Sequence, residues 1–139
     1  GADHRRKARW YDRRVSMTGD DARRTEVLRI ESRREPGAAV IRLRGELDLA
    51  GAPRLAEAVR DQARNGDPVV LDMSEVTFID STGVRTLLDA ARAVDVPMAL
   101  LAPSHRVVRV LELTRLRDRL PELPDLSPAS LASLNPADS

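Results

Sequence analysis

The sequence predicts a single α/β domain in which helices cover a mixed, mostly parallel sheet of four to five strands that begins with a hairpin. Three observations support this fold class. The length of 139 residues suits one domain with its own core. After two consecutive strand patterns, strands alternate with helices, which is typical of parallel connections. Pro36 and Gly37 form a turn signal between the first two strands and favour their antiparallel pairing.

The first half of the domain contains two predicted strands and one predicted helix. The segments "VLRIESR" and "AAVIRLRGELDL" alternate apolar and polar residues, as strands with one solvated side do. In the second strand, Arg42 and Arg44 are expected on the polar side. The helix then begins near Pro53, which suits a first helical turn, and ends before the Asn-Gly pair at positions 65 and 66.

The second half continues the alternation of strands and helices. The run "PVVLDMS" predicts a buried central strand. From Val84 onward, apolar residues recur at the i, i+3, i+4, i+7 spacing of an amphipathic helix. The run "PMALLA" predicts the next strand, and Ser104 is the expected N-cap of a third helix. A short last strand is predicted around residues 120–123.

Two terminal segments are set apart from this domain, which is predicted to span residues 25–124. Residues 1–24 are basic and poor in apolar side chains. Such a segment cannot bury enough surface to order itself, so we predict a disordered arm. Residues 125–139 are rich in Pro, Ser and Ala and are interpreted as a tail.

Composition excludes several classes of function. With one Trp, one Tyr and one Phe, the chain lacks an aromatic platform for stacking bases, so direct nucleic-acid recognition is not expected. The absence of Cys excludes a disulfide scaffold and thiolate metal sites, and agrees with a reducing compartment. No apolar run reaches the length of a membrane span, and a cytoplasmic location is expected. No phosphate-binding glycine loop precedes a Lys, and no cofactor is expected.

The junction "IDSTG" joins the predicted central strand to the helix that follows, and its polar residues are Asp80, Ser81 and Thr82. One interpretation is structural, because Asp and Ser are preferred N-caps and Gly83 would allow close packing. The other is functional, because sites of open α/β sheets usually lie at the carboxyl ends of parallel strands. A phosphoryl group on Ser81 would lie at the helix N-terminus, which favours anions. Both interpretations stay open on spacing alone.

Ser81 is not expected to be a catalytic nucleophile. It lies outside a G-x-S-x-G motif, and no general base accompanies it in the sequence. His4 belongs to the predicted arm and His105 to the start of a predicted helix. Two His without Cys or a Glu-His spacing do not predict a metal site. The sequence therefore predicts a protein that is not an enzyme.

Two motifs stand out in the chain, "GELDLAGAPRL" at residues 45–55 and "VVLDMSEVTFIDSTGVRTLLDA" at residues 69–90. Together they resemble the STAS domain of bacterial anti-sigma factor antagonists. A weaker similarity through "ALLAPSHRVVRVLELTRL" extends the resemblance over residues 27–123. It implies the STAS fold and a regulatory protein whose unphosphorylated form binds an anti-sigma factor serine kinase and thereby releases a sigma factor. It also implies that the kinase phosphorylates Ser81 and that a PP2C-type phosphatase restores the serine.

The resemblance also implies roles for the residues around this serine. The residues expected to surround it or to contact the partner are Glu46, Asp48, Asp80, Thr82, Gly83 and Arg85. Asp48 matches an acidic residue that lies near the phosphorylated serine in such proteins. Glu46 and Arg85 are candidate polar contacts, with a solvated surface charge as the alternative. A monomer or weak dimer is expected.

The chain departs from the family pattern at one position, and two other functions are considered. Arg115 stands where the family commonly has Gly, which affects the turn after the third helix. A soluble STAS accessory subunit of a membrane lipid transporter complex is the alternative function, although a phosphorylatable serine after Asp80 favours signalling. An enzyme with Ser81 as nucleophile would need a base that the sequence does not offer.

Overall fold

The computed structural model describes residues 11–12, 28–114 and 119–134. The described residues form one sheet with the strand order β1-β2-β3-β4-β5-β6. The strands are β1 (Tyr11–Asp12), β2 (Leu28–Glu35), β3 (Ala38–Leu47), β4 (Val69–Ile79), β5 (Met98–Leu101) and β6 (Glu122–Leu123). The helices are α1 (Ala52–Ala63), α2 (Ser81–Arg92), α3 (His105–Leu113) and α4 (Pro128–Ala132), and a 3₁₀ turn spans Leu49–Gly51. The predicted α/β class, with a hairpin followed by alternating strands and helices, is confirmed.

The domain begins with the predicted antiparallel hairpin. Leu28 pairs with Gly45 at the open end of the hairpin, and Glu35 pairs with Ala38 beside the turn. Gly37 in this turn has a φ of 84°, a left-handed conformation that favours glycine. The Pro-Gly signal therefore predicted both the turn and the direction of the second strand.

Strand β1 adds a short antiparallel edge to this hairpin. Tyr11 pairs with Ser32, and Asp12 pairs with Glu31. The sheet thus has one strand more than the four to five that the sequence predicts. Strand β1 belongs to the segment 1–24 that was predicted to be a disordered arm. The other residues of that segment lie outside the described residues, where the prediction stays a prediction.

The remaining strands of the sheet are parallel, as predicted. Strand β4 pairs with β3 and β5, and β6 pairs with β5, so that α1, α2 and α3 lie in the crossovers. The short last strand is confirmed as β6. The register of β3 against β4 shifts twice before the strands end, as at β-bulges. Leu47 nevertheless lies opposite Ile79, so both strands end together at the carboxyl edge of the sheet.

The main core lies between one face of the sheet and the helices α1, α2 and α3. Its fully buried side chains include Ile30, Ile41, Leu71 and Leu100 from the strands and Leu55, Leu87 and Leu111 from the helices. Each buried side chain of this size contributes about 1.5–3 kcal/mol relative to an exposed one. This core fixes the helices, and therefore the loops that precede them, relative to the strand ends.

The polar side of the hairpin carries ion pairs on the other face of the sheet. Glu31 is only 6% exposed, and its Oε1 accepts hydrogen bonds from Nε and Nη2 of Arg42 at 3.0 and 2.8 Å. Arg44 Nε lies 2.9 Å from a carboxylate oxygen of Glu75 in β4. The predicted polar positions of Arg42 and Arg44 are therefore confirmed, although both are only partly solvated.

The C-terminal segment covers an apolar area on that second face. Leu131 and Leu134 are buried against a cluster formed by Ala38, Val40, Val70, Ala99 and Leu123. Helix α4 begins after its N-cap Ser127, whose hydroxyl accepts from the Ser130 N–H at 3.2 Å. This packing corrects the interpretation of residues 125–139 as a tail, as far as residue 134. The composition is that of a tail, but the leucines have an apolar sheet surface to bury.

Candidate functional site

The candidate site lies where β3 and β4 end. Because Leu47 pairs with Ile79 in a parallel register, the residues that follow them, Asp48 and Asp80, leave neighbouring strands at the same edge. This is the edge at which open α/β sheets place their sites. The structure thus brings together two acidic residues that are separated widely in the sequence.

Asp80 is the N-cap of α2. Its backbone is extended, with φ −126° and ψ −171°, and its Oδ1 accepts a hydrogen bond from the Gly83 N–H at 2.9 Å. The Thr82 hydroxyl donates to the same oxygen at 2.6 Å. The hydrogen bond from Thr82 and then the one from Gly83 hold the pKa of Asp80 below its ordinary value, because both favour the charged carboxylate. The capping interpretation of the junction is therefore confirmed for Asp80.

Gly83 brings the first turn of α2 against the end of β3. A Cβ at this position would overlap the carbonyl oxygen of Leu47 and would lie 2.8 Å from Cγ1 of Ile79. No real side chain fits there, because the obstructing atom belongs to the backbone. The predicted close packing at Gly83 is confirmed, and it places the start of α2 beside the residues that follow β3.

Ser81 is the first residue of α2 and is exposed to solvent. Its side chain forms no hydrogen bond with any other residue in the described part of the chain. Thr82 is also exposed, but its hydroxyl is already bonded to Asp80. The two neighbouring hydroxyls therefore differ in hydrogen bonding. Only that of Ser81 is both exposed and uncommitted to a protein acceptor.

Asp48 is fixed in a similar way at the end of β3. It is the N-cap of the 3₁₀ turn, and its Oδ1 accepts from the Ala50 N–H at 3.0 Å. The 3₁₀ turn also contacts α2. The half-buried carboxylate of Asp48 therefore has a defined position at the edge that Asp80 and Ser81 share.

Glu46 and Arg85 lie at the border of this site. Glu46 is exposed and pairs in register with Phe78 of β4. Arg85 lies one turn along α2 from Ser81, and its Nε is 3.5 Å from Oδ1 of Asp89. The side chains of Arg85 and Asp89 are 72% and 59% exposed. The surface interpretation given for Arg85 describes this arrangement, and a partner contact stays a prediction for both residues.

Two apolar side chains at this edge were missed by the sequence interpretation. Leu49 is 69% exposed in the 3₁₀ turn, directly after Asp48, and Phe78 is 39% exposed next to the end of β4. A leucine in a polar turn is a signal that the sequence did offer. Phe78 gave no such signal, because the bulged register of β4 breaks the simple alternation of inward and outward residues.

Neither a membrane-crossing helix nor a metal site is found where the structure describes the chain. Across residues 28–114 and 119–134, every helix is too short or too polar to cross a bilayer. The same residues contain no group of three or more His, Asp or Glu side chains arranged to hold a metal ion.

Known proteins resemble the chain in sequence and in structure. The sequence model of the STAS domain family matches residues 29–129. An anti-sigma-B factor antagonist of Staphylococcus aureus (strain NCTC 8325 / PS 47) is 27% identical over 95 residues, which cover 66% of this chain and 88% of that protein.

Two solved structures share the fold. An anti-sigma factor antagonist from Mycobacterium paratuberculosis has a TM-score of 0.65 at 23% identity, over 78% of this chain and 94% of that chain. The Bacillus cell fate determinant SpoIIAA in its phosphorylated form has a TM-score of 0.51 at 20% identity, over 75% of this chain and 96% of that chain.

Proposed function

The chain belongs to the STAS domain family, and from this premise we propose that it is an anti-sigma factor antagonist regulated by phosphorylation of Ser81. The unphosphorylated protein binds an anti-sigma factor serine kinase and so releases a sigma factor. Phosphorylation switches this binding off. The observation that carries the proposal is the exposed, uncommitted hydroxyl of Ser81, which follows the N-cap Asp80 at the edge shared with Asp48.

The state of the two hydroxyls supports Ser81 as the acceptor of the phosphoryl group. A kinase must place its active site around the acceptor hydroxyl and take up its proton, which requires an exposed hydroxyl whose proton is not already donated to another acceptor. Ser81 meets both requirements, whereas Thr82 would first have to give up its 2.6 Å hydrogen bond to Asp80. The kinase is therefore expected to modify Ser81 in preference to its neighbour.

Electrostatics explains how the modification would change partners. A phosphoryl group adds about −1.5 to −2 charges at neutral pH. It would lie at an edge that already holds the carboxylates of Asp48 and Asp80. A partner surface that fits the neutral serine must then desolvate this charge or be excluded. Each loss of about 1.4 kcal/mol weakens binding tenfold, so a modest repulsion suffices to release the kinase.

Restoration of the serine by a PP2C-type phosphatase completes the proposed cycle. The phosphoserine would stay at the surface, because the Ser81 side chain is exposed and the first turn of α2 is held by the close contact of Gly83 with Leu47. A phosphatase could then reach the group without unfolding the helix. The protein itself contributes no catalytic step to either reaction.

The proposal is tested by incubation with candidate anti-sigma factor kinases and ATP, followed by mass mapping of modified residues. We expect a single phosphorylated residue, Ser81, and no incorporation in Ser81→Ala. Thr82→Ala is the matched control, since it removes the neighbouring hydroxyl and should still be modified at Ser81. Ser81→Glu should bind the kinase at least tenfold more weakly than the unphosphorylated parent protein does, a loss of about 1.4 kcal/mol in binding free energy.

Two results would contradict the proposal. One is undiminished kinase binding by the fully phosphorylated protein. The other is failure of the unmodified protein to bind any anti-sigma factor kinase while it copurifies with a transporter ATPase, which would support the accessory-subunit alternative.

A further inference from the structure

Arg85 lies midway between Ser81 and Asp89 on one face of α2. It follows Ser81 by four residues and precedes Asp89 by four residues. Residues four apart on a helix are neighbours, with Cβ atoms about 5–6 Å from each other. The Arg85 side chain can therefore reach toward either position. In the unphosphorylated structure it lies against Asp89, with 3.5 Å between Nε and Oδ1.

The present ion pair holds Arg85 only weakly. Both side chains are mostly exposed, and exposed pairs are screened by water and salt. The order of the two charges is also the less favourable one, because a helix is better stabilised when the acidic residue precedes the basic one. Arg85 can therefore exchange Asp89 for a stronger acceptor at little cost.

We propose that phosphorylation of Ser81 transfers Arg85 from Asp89 to the phosphoserine, an inference that rests on the proposed function. A phosphate at position 81 precedes Arg85 by one turn, which is the favourable order of charges. It offers nearly twice the charge of a carboxylate and three acceptor oxygens. A guanidinium can bind two such oxygens at once through charge-assisted hydrogen bonds. Asp89 is then left to solvent.

The charged groups around Ser81 favour Arg85 as the cation that binds the phosphoserine. The residues that directly follow the two neighbouring strands at this edge, Asp48 and Asp80, carry carboxylates, which repel a phosphate. Another cation that borders the end of β4 is Arg106, which lines a groove with Phe78 and Ile79. Arg106 belongs to α3 rather than to the helix that carries Ser81. Arg85 is thus the cation whose distance from position 81 is set by the helix itself.

The exchange would let the chain itself supply a cation for the phosphoserine. With Arg85 engaged, part of the added charge is neutralised within the chain, so the modified protein does not depend on a cation of the kinase. Exposure of Asp89 at the same time changes the charge of the α2 surface one turn further along. The negative surface presented to the former partner therefore extends beyond the modified serine.

The test uses the full chain with phosphoserine incorporated at position 81 during translation, so that no kinase is required. The ³¹P resonance is titrated to obtain the second pKa of the phosphoserine. Because a nearby guanidinium favours the dianion, we expect Arg85→Gln to raise this pKa. Arg92→Gln is the matched control. Arg92 is an exposed arginine of the same helix. It lies about 16 Å from Ser81 along the helix axis, well beyond the electrostatic screening length of about 8 Å. It should leave the pKa unchanged.

Two further variants decide between cations and identify the exchange. Arg106→Gln should change the phosphoserine pKa less than Arg85→Gln, and a larger change would overturn the proposal in favour of α3. Asp89→Asn should lower the pKa in the parent protein and have a smaller effect when Arg85 is already Gln, because Asp89 competes for that arginine. Equal pKa values in the parent and in Arg85→Gln would overturn the proposal. Such a result would leave the proposed function standing, since that function is tested by kinase binding.

Discussion

At the scale of single residues, one carboxylate organises the junction. Asp80 accepts the Gly83 N–H and the Thr82 hydroxyl with the same oxygen, at 2.9 and 2.6 Å. The bond from Gly83 caps the N-terminus of α2. The bond from Thr82 engages the hydroxyl proton of Thr82 and so favours Ser81 as the residue that a kinase would phosphorylate. Both bonds also hold the pKa of Asp80 below its ordinary value, because they favour the charged carboxylate. The structural and the functional interpretations of the junction are therefore compatible, since the cap is what distinguishes the two hydroxyls.

The first prediction concerns pH at this residue. The pKa of folded Asp80 lies below the ordinary value of an Asp carboxyl, so its charged form contributes stability that is present above about pH 4. That contribution is lost as pH falls through the folded pKa. Asp80→Asn keeps an acceptor for the Gly83 N–H but cannot ionise. Urea unfolding between pH 7 and pH 3 should therefore show a smaller decrease in the free energy of unfolding for this variant than for the parent protein.

A second variant checks the cause of the low pKa. Thr82→Ala removes the strongest hydrogen bond to the carboxylate, and NMR titration should show the pKa of Asp80 move upward. Some acid loss should persist in Asp80→Asn, because hydrogen bonds from Ser130 and Ser127 also hold the pKa of Asp125 low. Identical pH profiles for the parent and Asp80→Asn would contradict this account.

At the scale of elements, close packing decides where the site lies. The first turn of α2 approaches the end of β3 so closely that Gly83 has no space for a Cβ. The main core holds α2 through Val84, Leu87 and Ala90. The C-terminal helix α4 plays a comparable part on the second face of the sheet, where it covers an apolar cluster. Each element is therefore fixed by the surface against which it packs.

The prediction at this scale tests the packing of α4. Leu131 is 7% exposed and belongs to the second cluster. Leu131→Ala should lower the free energy of unfolding by about 2–4 kcal/mol, because it removes buried methyl groups and leaves a cavity. Leu113→Ala is the matched control, since Leu113 is 78% exposed and should change stability by less than about 0.5 kcal/mol.

Denaturant unfolding of both variants measures the difference. Equal effects of the two substitutions would mean that residues 125–134 do not pack on the sheet in solution. The interpretation of this segment as a tail would then be restored.

At the scale of the whole molecule, the site lies at the carboxyl edge of the sheet. The strands that carry Asp48 and Asp80 lie in the centre of the sheet, with β2 on one side and β5 on the other. Ser81 is exposed on this framework, so a phosphoryl group adds charge without displacing a buried side chain. The proposed switch therefore works by a change of surface charge and needs no change of fold.

The corresponding prediction compares amide spectra of the unphosphorylated and phosphorylated proteins. Shifts should be confined to the first turns of α2, the 3₁₀ turn and the ends of β3 and β4. Resonances from β2, β5 and α4 should stay in place, because the main core and the second cluster are untouched. Shifts spread over the whole domain would indicate a conformational change and would contradict a switch based on surface charge alone.

Local patterns account for most of the fold prediction. The turn signal at Pro36 and Gly37, the apolar periodicity of α2 and the cap at Ser104 each act over a few residues, and each was confirmed. Residues 125–134 could not be predicted in this way. Their composition is that of a tail, and their order depends on an apolar surface built by β3, β4 and β5.

The sequence by itself determined that a helix follows the junction and that Asp80 and Ser81 are its candidate N-caps, because caps and periodicity depend on neighbouring residues. Only the tertiary structure decided that Asp48 lies at the same edge as Asp80 and Ser81, and that Phe78 is exposed beside them. Those features depend on strand register, on the bulges of β4 and on the contact between Gly83 and Leu47. They arise from residues far apart in the chain, so no local pattern contains them.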